Sequence, residues 1–308
     1  MGKRSGDGAL FFPTMTKLTK AEIAAARQAR YRRRMDLRVA SSAEAVEFVN
    51  DVGFCFLFPI QNVEMPSLWD AIAGRVVKTT NKHHGYEIER TWGWKDDSLN
   101  KKWWFYGKLI RAKATLVSLD LLPNFYALSE NYGDYEQDYL EEYRAGRLTA
   151  EAKAIYEALL KHGALDAVRL RREAHLTSEE SQTRYNKALT ELQAGLKVLP
   201  VGVAEAGAWN YAFIYELLPR WFPDVPEKAR HITRAEARRA ILDQYLRNAI
   251  ATTVPTAARV FGWPTAEARQ TAEGLAEEGR VMLDVKVAGL GELQIVTKKN
   301  ANAKKRRR

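Results

Sequence analysis

The sequence contains a single cysteine, Cys55, among its 308 residues. One thiol cannot form an internal disulfide or a metal cluster held by cysteines alone, and such sparse cysteine is typical of a reducing compartment. The adjacent pair His83–His84 has no second group of ligands nearby in the sequence, and neighbouring side chains diverge on a regular backbone. We therefore expect a protein with no metal site and no cofactor.

Long apolar runs are also absent. The most apolar stretch, VGFCFLFPIQ at residues 52–61, is far shorter than the ~20 residues that a membrane-spanning helix needs. The N-terminus lacks the apolar segment of a signal peptide. The sequence predicts a protein without a membrane segment, which we expect to be monomeric and cytoplasmic. The stretch itself is apolar on both faces, a pattern typical of a buried strand.

Short catalytic motifs are missing too. The sequence has no phosphate-binding GxxxxGK[ST] loop, no GxGxxG dinucleotide fingerprint and no GxSxG nucleophile elbow. Any chemistry therefore has to be sought in residue clusters and in the order of the structural elements.

The net charge of +10 is concentrated at the two ends of the chain. The first forty residues contribute +7 and the tail at 298–308 contributes another +7, so residues 41–297 carry −4. Basic ends favour nucleic acid as a partner, because binding to phosphates releases condensed counterions. The alternative is a tail that only improves solubility.

Residues 1–18 are predicted to be disordered because they are small, glycine-containing and aperiodic. A helix then begins at Thr19, with a glutamate three positions on at the capping-box spacing. Its arginines Arg27, Arg30 and Arg34 fall near one face. This face either follows a phosphate backbone or is a solvated charged surface.

One order of elements occurs twice in the second half of the chain. Residues 149–218 and 233–297 each predict a helix, a short second helix, a third helix and a β-hairpin, which is the order of a winged helix. The proline-rich segment 219–232 between them predicts a linker. Residues 19–148 are interpreted as an N-terminal helical, winged-helix-like domain. The fold class is thus mainly α with small β-hairpin wings, an α+β fold of tandem winged helices.

The segment TWGWKDD lies in a region rich in tryptophan and lysine. Trp92 and Trp94 could stack on bases while Lys101 and Lys102 contact phosphates. Lys95, the neighbouring Asp96 and the tryptophans together suggest acid–base or nucleophilic chemistry beside a stacked base. The alternative is a tryptophan-rich core with a charged turn.

The third helix of a winged helix normally contacts the major groove of DNA. This places Gln182, Arg184 and Lys187 of the first copy, and Arg269 of the second, among the candidate nucleic-acid contacts. The alternative is that the helices make only protein contacts, since acidic pairs at 179–180 and 277–278 would repel phosphate.

The order of parts across residues 20–297 resembles the AlkZ-like (YcaQ-type) tandem winged-helix DNA glycosylase superfamily. The resemblance depends on a helix ending in DVGF, the apolar run after it, the segment MPSLWDAIAGR, an aromatic middle region and the C-terminal ITRAEARRAIL. It implies a C-shaped arrangement around double-stranded DNA and hydrolysis of the N-glycosidic bond of alkylated or crosslinked purines. It also implies a protein associated with the bacterial nucleoid.

The family's catalytic signature, Gln-x-Gln or Gln-x-Asp, falls by position on Phe56–Phe58. A phenyl ring cannot orient a water or stabilise an oxocarbenium ion by hydrogen bonding, so the chain resembles a divergent, AlkZ-related branch. The candidate replacements are Gln61 and Glu64, just after the apolar run, and Lys95 with Asp96. The two leading hypotheses are a base-acting repair enzyme and a DNA-binding protein without chemistry, either a regulator or a lesion-recognition factor. A protein–protein scaffold is a third.

Overall fold

The computed structural model describes residues 18–77, 85–207 and 209–298. The predicted disorder at 1–17, the histidines His83 and His84, and the basic tail beyond Lys298 lie outside these ranges. Within them, no helix is both long and apolar enough to cross a bilayer.

One unit, a helix, a short strand, two helices and a β-hairpin, occurs three times along the chain. A first helix, α1 (Lys20–Arg30), precedes the units. Repeat 1 then contains α2 (Ser42–Val52), β1 (Phe54–Phe56), α3 (Leu68–Ala73), α4 (Tyr86–Lys101), β2 (Phe105–Lys108) and β3 (Ala114–Val117).

Two short helices, α5 (Leu122–Ala127) and α6 (Asp138–Arg144), connect repeat 1 to repeat 2. Repeat 2 contains α7 (Ala150–His162), β4 (Leu165–Asp166), α8 (Ala167–Glu173), α9 (Gln182–Ala194), β5 (Val198–Ala204) and β6 (Ala212–Leu217). The segment after it, predicted as a linker, forms α10 (Leu218–Trp221) and α11 (Asp224–Ala229). Its Phe222 and Val225 are buried in the largest core cluster, so this segment is packed into the protein.

Repeat 3 contains α12 (Arg234–Ala249), β7 (Ala251–Thr252), α13 (Val254–Phe261), α14 (Thr265–Glu277), β8 (Val281–Val285) and β9 (Gln294–Thr297). The sheets have strand orders β1-β3-β2, β4-β6-β5 and β7-β9-β8, and all pairs are antiparallel. In each sheet the second strand of the hairpin is central. It pairs with the first strand of the hairpin on one side and with the short strand after the first helix on the other. The mainly α fold with small β wings is thereby confirmed.

The helix starts follow from local chemistry. Thr149 and Asp166 accept hydrogen bonds from the first free N–H groups of α7 and α8, which a helix start leaves without partners. Thr19 and Thr233 form complete capping boxes with glutamates three residues on. The predicted start of α1 at Thr19 is confirmed, and the first helices of the two predicted copies begin at Thr149 and Thr233 as expected.

The largest core cluster joins repeat 1 to repeat 3. Phe54 of β1 meets Phe125 edge to face at 5.5 Å between ring centroids, and Phe261 of α13 at 5.9 Å. Tyr245 of α12 contacts Phe261 in the same way at 5.3 Å. Aromatic pairs of this geometry contribute about 0.5–1.5 kcal/mol each beyond the area they bury. The first part of the apolar run after α2 is thus buried as expected and contains the strand β1, whereas Phe58, Pro59 and Ile60 are partly exposed.

Candidate functional site

Two phenylalanines occupy the position where the resemblance places the catalytic signature. Phe56 is fully buried, and its N–H donates to the carbonyl of Pro66 at 3.0 Å. Phe58, just past the strand, packs edge to face on Trp69 at 5.2 Å and against Trp92 at 5.3 Å. Neither side chain offers a hydrogen-bonding group, so the polar chemistry of this region has to come from neighbouring residues.

The loop after β1 carries the nearest polar candidates. Gln61 is exposed, and Asn62 adopts a left-handed backbone conformation with φ of 59°, which turns the chain back beside the strand. Glu64 follows, with 36% of its side chain exposed. Its carboxylate lies 3.3 Å from Nη1 of Arg27 and 3.5 Å from Nη1 of Arg33. Glu64 is therefore both reachable from solvent and held in one orientation by two guanidinium groups.

Arg33 is itself fixed from the other side. Its Nη2 lies 2.8 Å from the carboxylate of Asp70, a side chain with no exposed surface. Asp70 also accepts from the N–H of Val77 at 2.8 Å, and the hydroxyl of Ser67 caps its helix, α3. A buried carboxylate is tolerated when it is paired and hydrogen-bonded in this way. The chain Asp70–Arg33–Glu64 is thus a preorganised ionic network.

Two buried tyrosines lie near this network. Burial raises the pKa of Tyr31 well above its ordinary value, and the negative charge of Glu64 raises it further. Burial likewise raises the pKa of Tyr245, with Glu64 again contributing. Both phenols therefore stay protonated at neutral pH. Among the described residues, the Tyr31 hydroxyl has no hydrogen-bond partner, which is unusual for a buried polar atom.

The arginines predicted to follow a phosphate backbone lie partly inside the protein. Arg27 donates to the carbonyls of Ala249 and Ala251 at 2.7 and 2.8 Å, at the C-terminal end of α12 where carbonyls lack helical partners. Arg30 donates to the side chain of Asn248 at 3.0 Å and pairs with Asp51 at 2.5 Å. Both residues fasten α1 to repeat 3, whereas Arg34 is exposed and pairs only with Asp36.

A second cluster surrounds Lys95, whose side chain has no exposed surface. The ammonium group donates to the Tyr211 hydroxyl at 2.7 Å, and that hydroxyl donates to Asp96 at 2.8 Å. The ammonium also lies 2.7 Å from Asp96. Four rings enclose it within 6 Å of their centroids: Trp92, Tyr106, Tyr211 and Phe213. This is an aromatic cage occupied by the protein's own lysine.

The cage joins repeat 1 to the hairpin of repeat 2, because Lys95 lies on α4, Tyr211 immediately precedes β6 and Phe213 lies in it. Burial lowers the pKa of Lys95, and the hydrogen bond and charge of Asp96 oppose that shift. The segment TWGWKDD, for which a charged turn was the alternative above, forms the middle of helix α4. The helix continues through its lone glycine, Gly93, and on either side of it Trp92 and Lys95 belong to the cage.

The remaining aromatic and basic candidates lie around α4. Trp92 is 42% exposed, whereas Trp94 is half-buried beneath the guanidinium of Arg90. Lys101 pairs with Asp97 at 3.3 Å, and Lys102 donates to the carbonyl of Trp221 at 2.8 Å. The structure thus gathers Trp92, Lys95 and Asp96 in one cluster, whereas Gln61 is exposed on the loop that carries Glu64.

The candidate groove-contacting residues lie on the third helices of repeats 2 and 3. Gln182, Arg184 and Lys187 are all exposed on α9, and Arg184 pairs weakly with Glu151 at 3.4 Å. On α14, Arg269 makes two hydrogen bonds to Asp284 of its own wing, at 2.9 and 2.8 Å. These hydrogen bonds raise the pKa of Arg269 and lower that of Asp284.

Several members of the two clusters were not identified from the sequence. Tyr31 and Tyr245 resemble ordinary core positions, and Tyr211 is more than a hundred positions from Lys95. Asp70 could have been identified from the sequence, because it is the only charged residue in the apolar segment LWDAIA. The structure shows that all six residues of this helix are buried. The described ranges contain no group of three or more His, Cys, Asp and Glu side chains able to hold a metal.

Comparisons with known proteins identify a family and a similar solved structure. A family model described as AlkZ related matches residues 39–262. The structure of the Streptomyces sahachiroi DNA glycosylase AlkZ aligns over 93% of this chain and 72% of that chain, with a TM-score of 0.58 and 16% sequence identity. At this level of sequence identity, the similarity shows a shared fold and nothing more. No curated protein matches the sequence.

Proposed function

The chain belongs to the AlkZ-related family, and from this premise we propose that it binds double-stranded DNA and removes a damaged base by hydrolysing its N-glycosidic bond. We further propose that the three repeats act as winged helices, and that the protein works as a monomer in the cytoplasm, associated with the nucleoid. The catalytic proposal depends on one observation, the partly exposed carboxylate of Glu64. Arg27 and Arg33 hold this carboxylate close to β1, where the resemblance places the catalytic signature.

The chemistry of base excision explains the choice of Glu64. Departure of the base leaves positive charge on the sugar, which a fixed carboxylate stabilises electrostatically while it orients the attacking water. Because two guanidinium groups already fix Glu64, little reorganisation is needed in the transition state. The buried Tyr31 hydroxyl lies near enough to Glu64 for the carboxylate to raise its pKa, and the exposed Gln61 precedes Glu64 on the same loop.

Lys95 and Asp96 fit a catalytic role less well. The Lys95 amine is sealed by four rings, so attack on a sugar carbon would require the wing of repeat 2 to move away. We assign this pair to holding repeats 1 and 2 together, and we keep Glu64 as the catalytic carboxylate.

Exposed cations support DNA as the substrate. Lys187 and Arg184 lie on the third helix of repeat 2, the element that enters the major groove in DNA-binding winged helices. Arg111 and Lys113 are exposed at the tip of the β2–β3 hairpin. Such side chains contact phosphates and give binding that weakens steeply with salt.

A strand-scission assay tests the proposal. Duplexes carrying one alkylated, deaminated or bulky modified base are incubated with the protein, and alkali then cleaves abasic sites. We expect scission for at least one lesion and a loss of about 100-fold or more in Glu64→Gln, the range typical of removing one electrostatic stabiliser. Glu47→Gln, an exposed glutamate on α2, is the matched control and should keep full activity.

A second function, DNA binding without chemistry, is favoured by Phe56 and Phe58 at the signature position. The two proposals give opposite results. Salt-dependent duplex binding without scission of any lesion refutes the glycosylase and supports a lesion-recognition factor or regulator. Loss of duplex binding in a Lys187→Gln, Arg184→Gln variant, measured by fluorescence anisotropy, would place the interface on α9 in either case.

A further inference from the structure

A pocket of about 810 Å³ opens between α1, α12 and the last sheet, and the two clusters described above do not line it. Its volume falls within the range of about 300–1,000 Å³ that is usual for ligand sites. Five cationic side chains surround it: Arg30, Arg32, Arg247, Arg280 and Lys298.

Among the described residues, two carboxylates line the pocket, and both are already paired. Asp243 has only 8% of its side chain exposed, and it binds Arg247 at 2.6 Å and also Arg280. Asp51 binds Arg30 at 2.5 Å. Five positive and two negative charges leave a surplus of three positive charges around one concave surface. Converging like charges in a pocket are costly unless an anion neutralises them.

Two of the cations are not neutralised by the protein. Within the described ranges, neither Arg32 nor Lys298 forms an ion pair. The Arg32 guanidinium lies over the ring of Phe48 at 5.6 Å, a contact that leaves its N–H groups available. Lys298 extends over Gly279, where a Cβ added to the glycine would lie 3.3 Å from the lysine Nζ. A larger residue at 279 would crowd this ammonium group.

We infer that this pocket binds closely spaced phosphate groups. Arginine forks bind phosphate oxygens in a bidentate manner, and a lysine adds a point charge. Four arginines and a lysine suit two or three neighbouring phosphates better than one carboxylate, because the surplus charge is three. The source is either the backbone of a nucleic acid or a small polyphosphate. The inference does not depend on Glu64 or on base excision.

Binding of inorganic tripolyphosphate to the full chain, measured by isothermal titration calorimetry, tests the inference. The variant Arg32→Gln, Lys298→Gln removes the two unpaired cations and leaves the Asp243 and Asp51 ion pairs intact. We expect its affinity to fall about tenfold or more, since each charge-assisted hydrogen bond to phosphate is individually strong. The control Arg144→Gln, Lys228→Gln removes the same charge from exposed helix positions and should leave the affinity unchanged.

Duplex DNA then distinguishes the two sources. If tripolyphosphate competes with DNA and the pocket variant loses affinity for both, the phosphates are those of the backbone. If the pocket variant loses affinity for tripolyphosphate but keeps its affinity for DNA, the ligand is a small polyphosphate. The inference is overturned if tripolyphosphate does not bind, or if the pocket variant and the control lose affinity equally, because only overall charge would then matter.

Discussion

Asp96→Asn removes the one negative partner of a fully buried ammonium group. Within the described residues, Lys95 has no other acidic neighbour, and its remaining contacts are the Tyr211 hydroxyl and four aromatic faces. The asparagine keeps the shape of the side chain and removes only its charge. The variant therefore isolates the electrostatic balance that holds α4 against the wing of repeat 2.

The expected loss in the free energy of unfolding follows from the burial of Lys95. Removing one partner of a buried ion pair costs about 3–5 kcal/mol, because the other charge is left uncompensated. Cation–π contacts offset about 0.5–2 kcal/mol of this. Asp96 is 28% exposed, so water already screens part of the interaction. We expect a loss of about 2–3 kcal/mol in the free energy of unfolding at pH 7.

The pH dependence gives a second, independent readout. Burial lowers the pKa of Lys95 below its ordinary value of 10.5. The folded protein therefore disfavours protonated Lys95, which lowers the free energy of unfolding at low pH. This destabilisation diminishes as the pH rises through the folded-state pKa toward 10.5. Asp96→Asn lowers that pKa further. The difference in unfolding free energy between wild type and variant should consequently narrow toward pH 10, to the ~1 kcal/mol by which the Tyr211 hydrogen bond weakens when its acceptor loses its charge.

Urea unfolding followed by circular dichroism at pH 7 and pH 10 measures both effects. Asp97→Asn is the matched control, since its ion pair with Lys101 is more than half exposed and should contribute less than about 1 kcal/mol. A double variant that also carries Lys95→Met should regain most of the stability. Equal losses in Asp96→Asn and Asp97→Asn, or a loss that does not change with pH, would refute the reasoning.

Two further predictions concern residues with left-handed backbone conformations. Ala112, at the tip of the β2–β3 hairpin, has φ of 55°; Ala112→Gly should raise the free energy of unfolding by about 0.5–1 kcal/mol, measured by urea unfolding. Asp284, with φ of 53°, restrains Arg269. Asp284→Asn suits this backbone and releases the two Nη groups of Arg269, while Glu273 still binds its Nε at 2.8 Å. The salt dependence of DNA binding, measured by anisotropy, should therefore steepen by at most about one counterion. An unchanged slope would mean that Arg269 does not face the duplex.

Repeats 2 and 3 could be predicted from sequence because their boundaries are local. Thr149, Gly163 and Asp166 mark helix ends through chemistry that acts within three or four residues, and the structure places helix boundaries at all three. Repeat 1 has the same order of elements but was not identified as a third copy. Its short strand is separated from α3 by the long loop that carries Glu64, so the spacing no longer resembles that of the other two.

The candidate site was less predictable for a physical reason. Glu64 and Lys95 were identifiable as polar residues beside apolar or aromatic stretches, yet what each contacts is decided by packing between distant segments. Arg27 precedes Glu64 by 37 positions and Tyr211 follows Lys95 by 116. Local patterns contain no information about such pairs. Arg27 shows the effect most clearly, since the carbonyls of Ala249 and Ala251 that it binds lie 222 and 224 positions further along the chain.

The docking of α1 onto repeat 3 has a consequence for how the chain is made. The N–H of Lys20 donates to the carbonyl of Ala288 at 2.9 Å, and Ala288 donates back to Leu18 at 3.0 Å, so the start of the described chain is tied to its last hairpin. During synthesis, α1 leaves the ribosome long before that hairpin exists. The α12 partners of Arg27 and Arg30 are made only after most of the described chain, so the docking of α1 is a late step that closes contacts of long sequence separation.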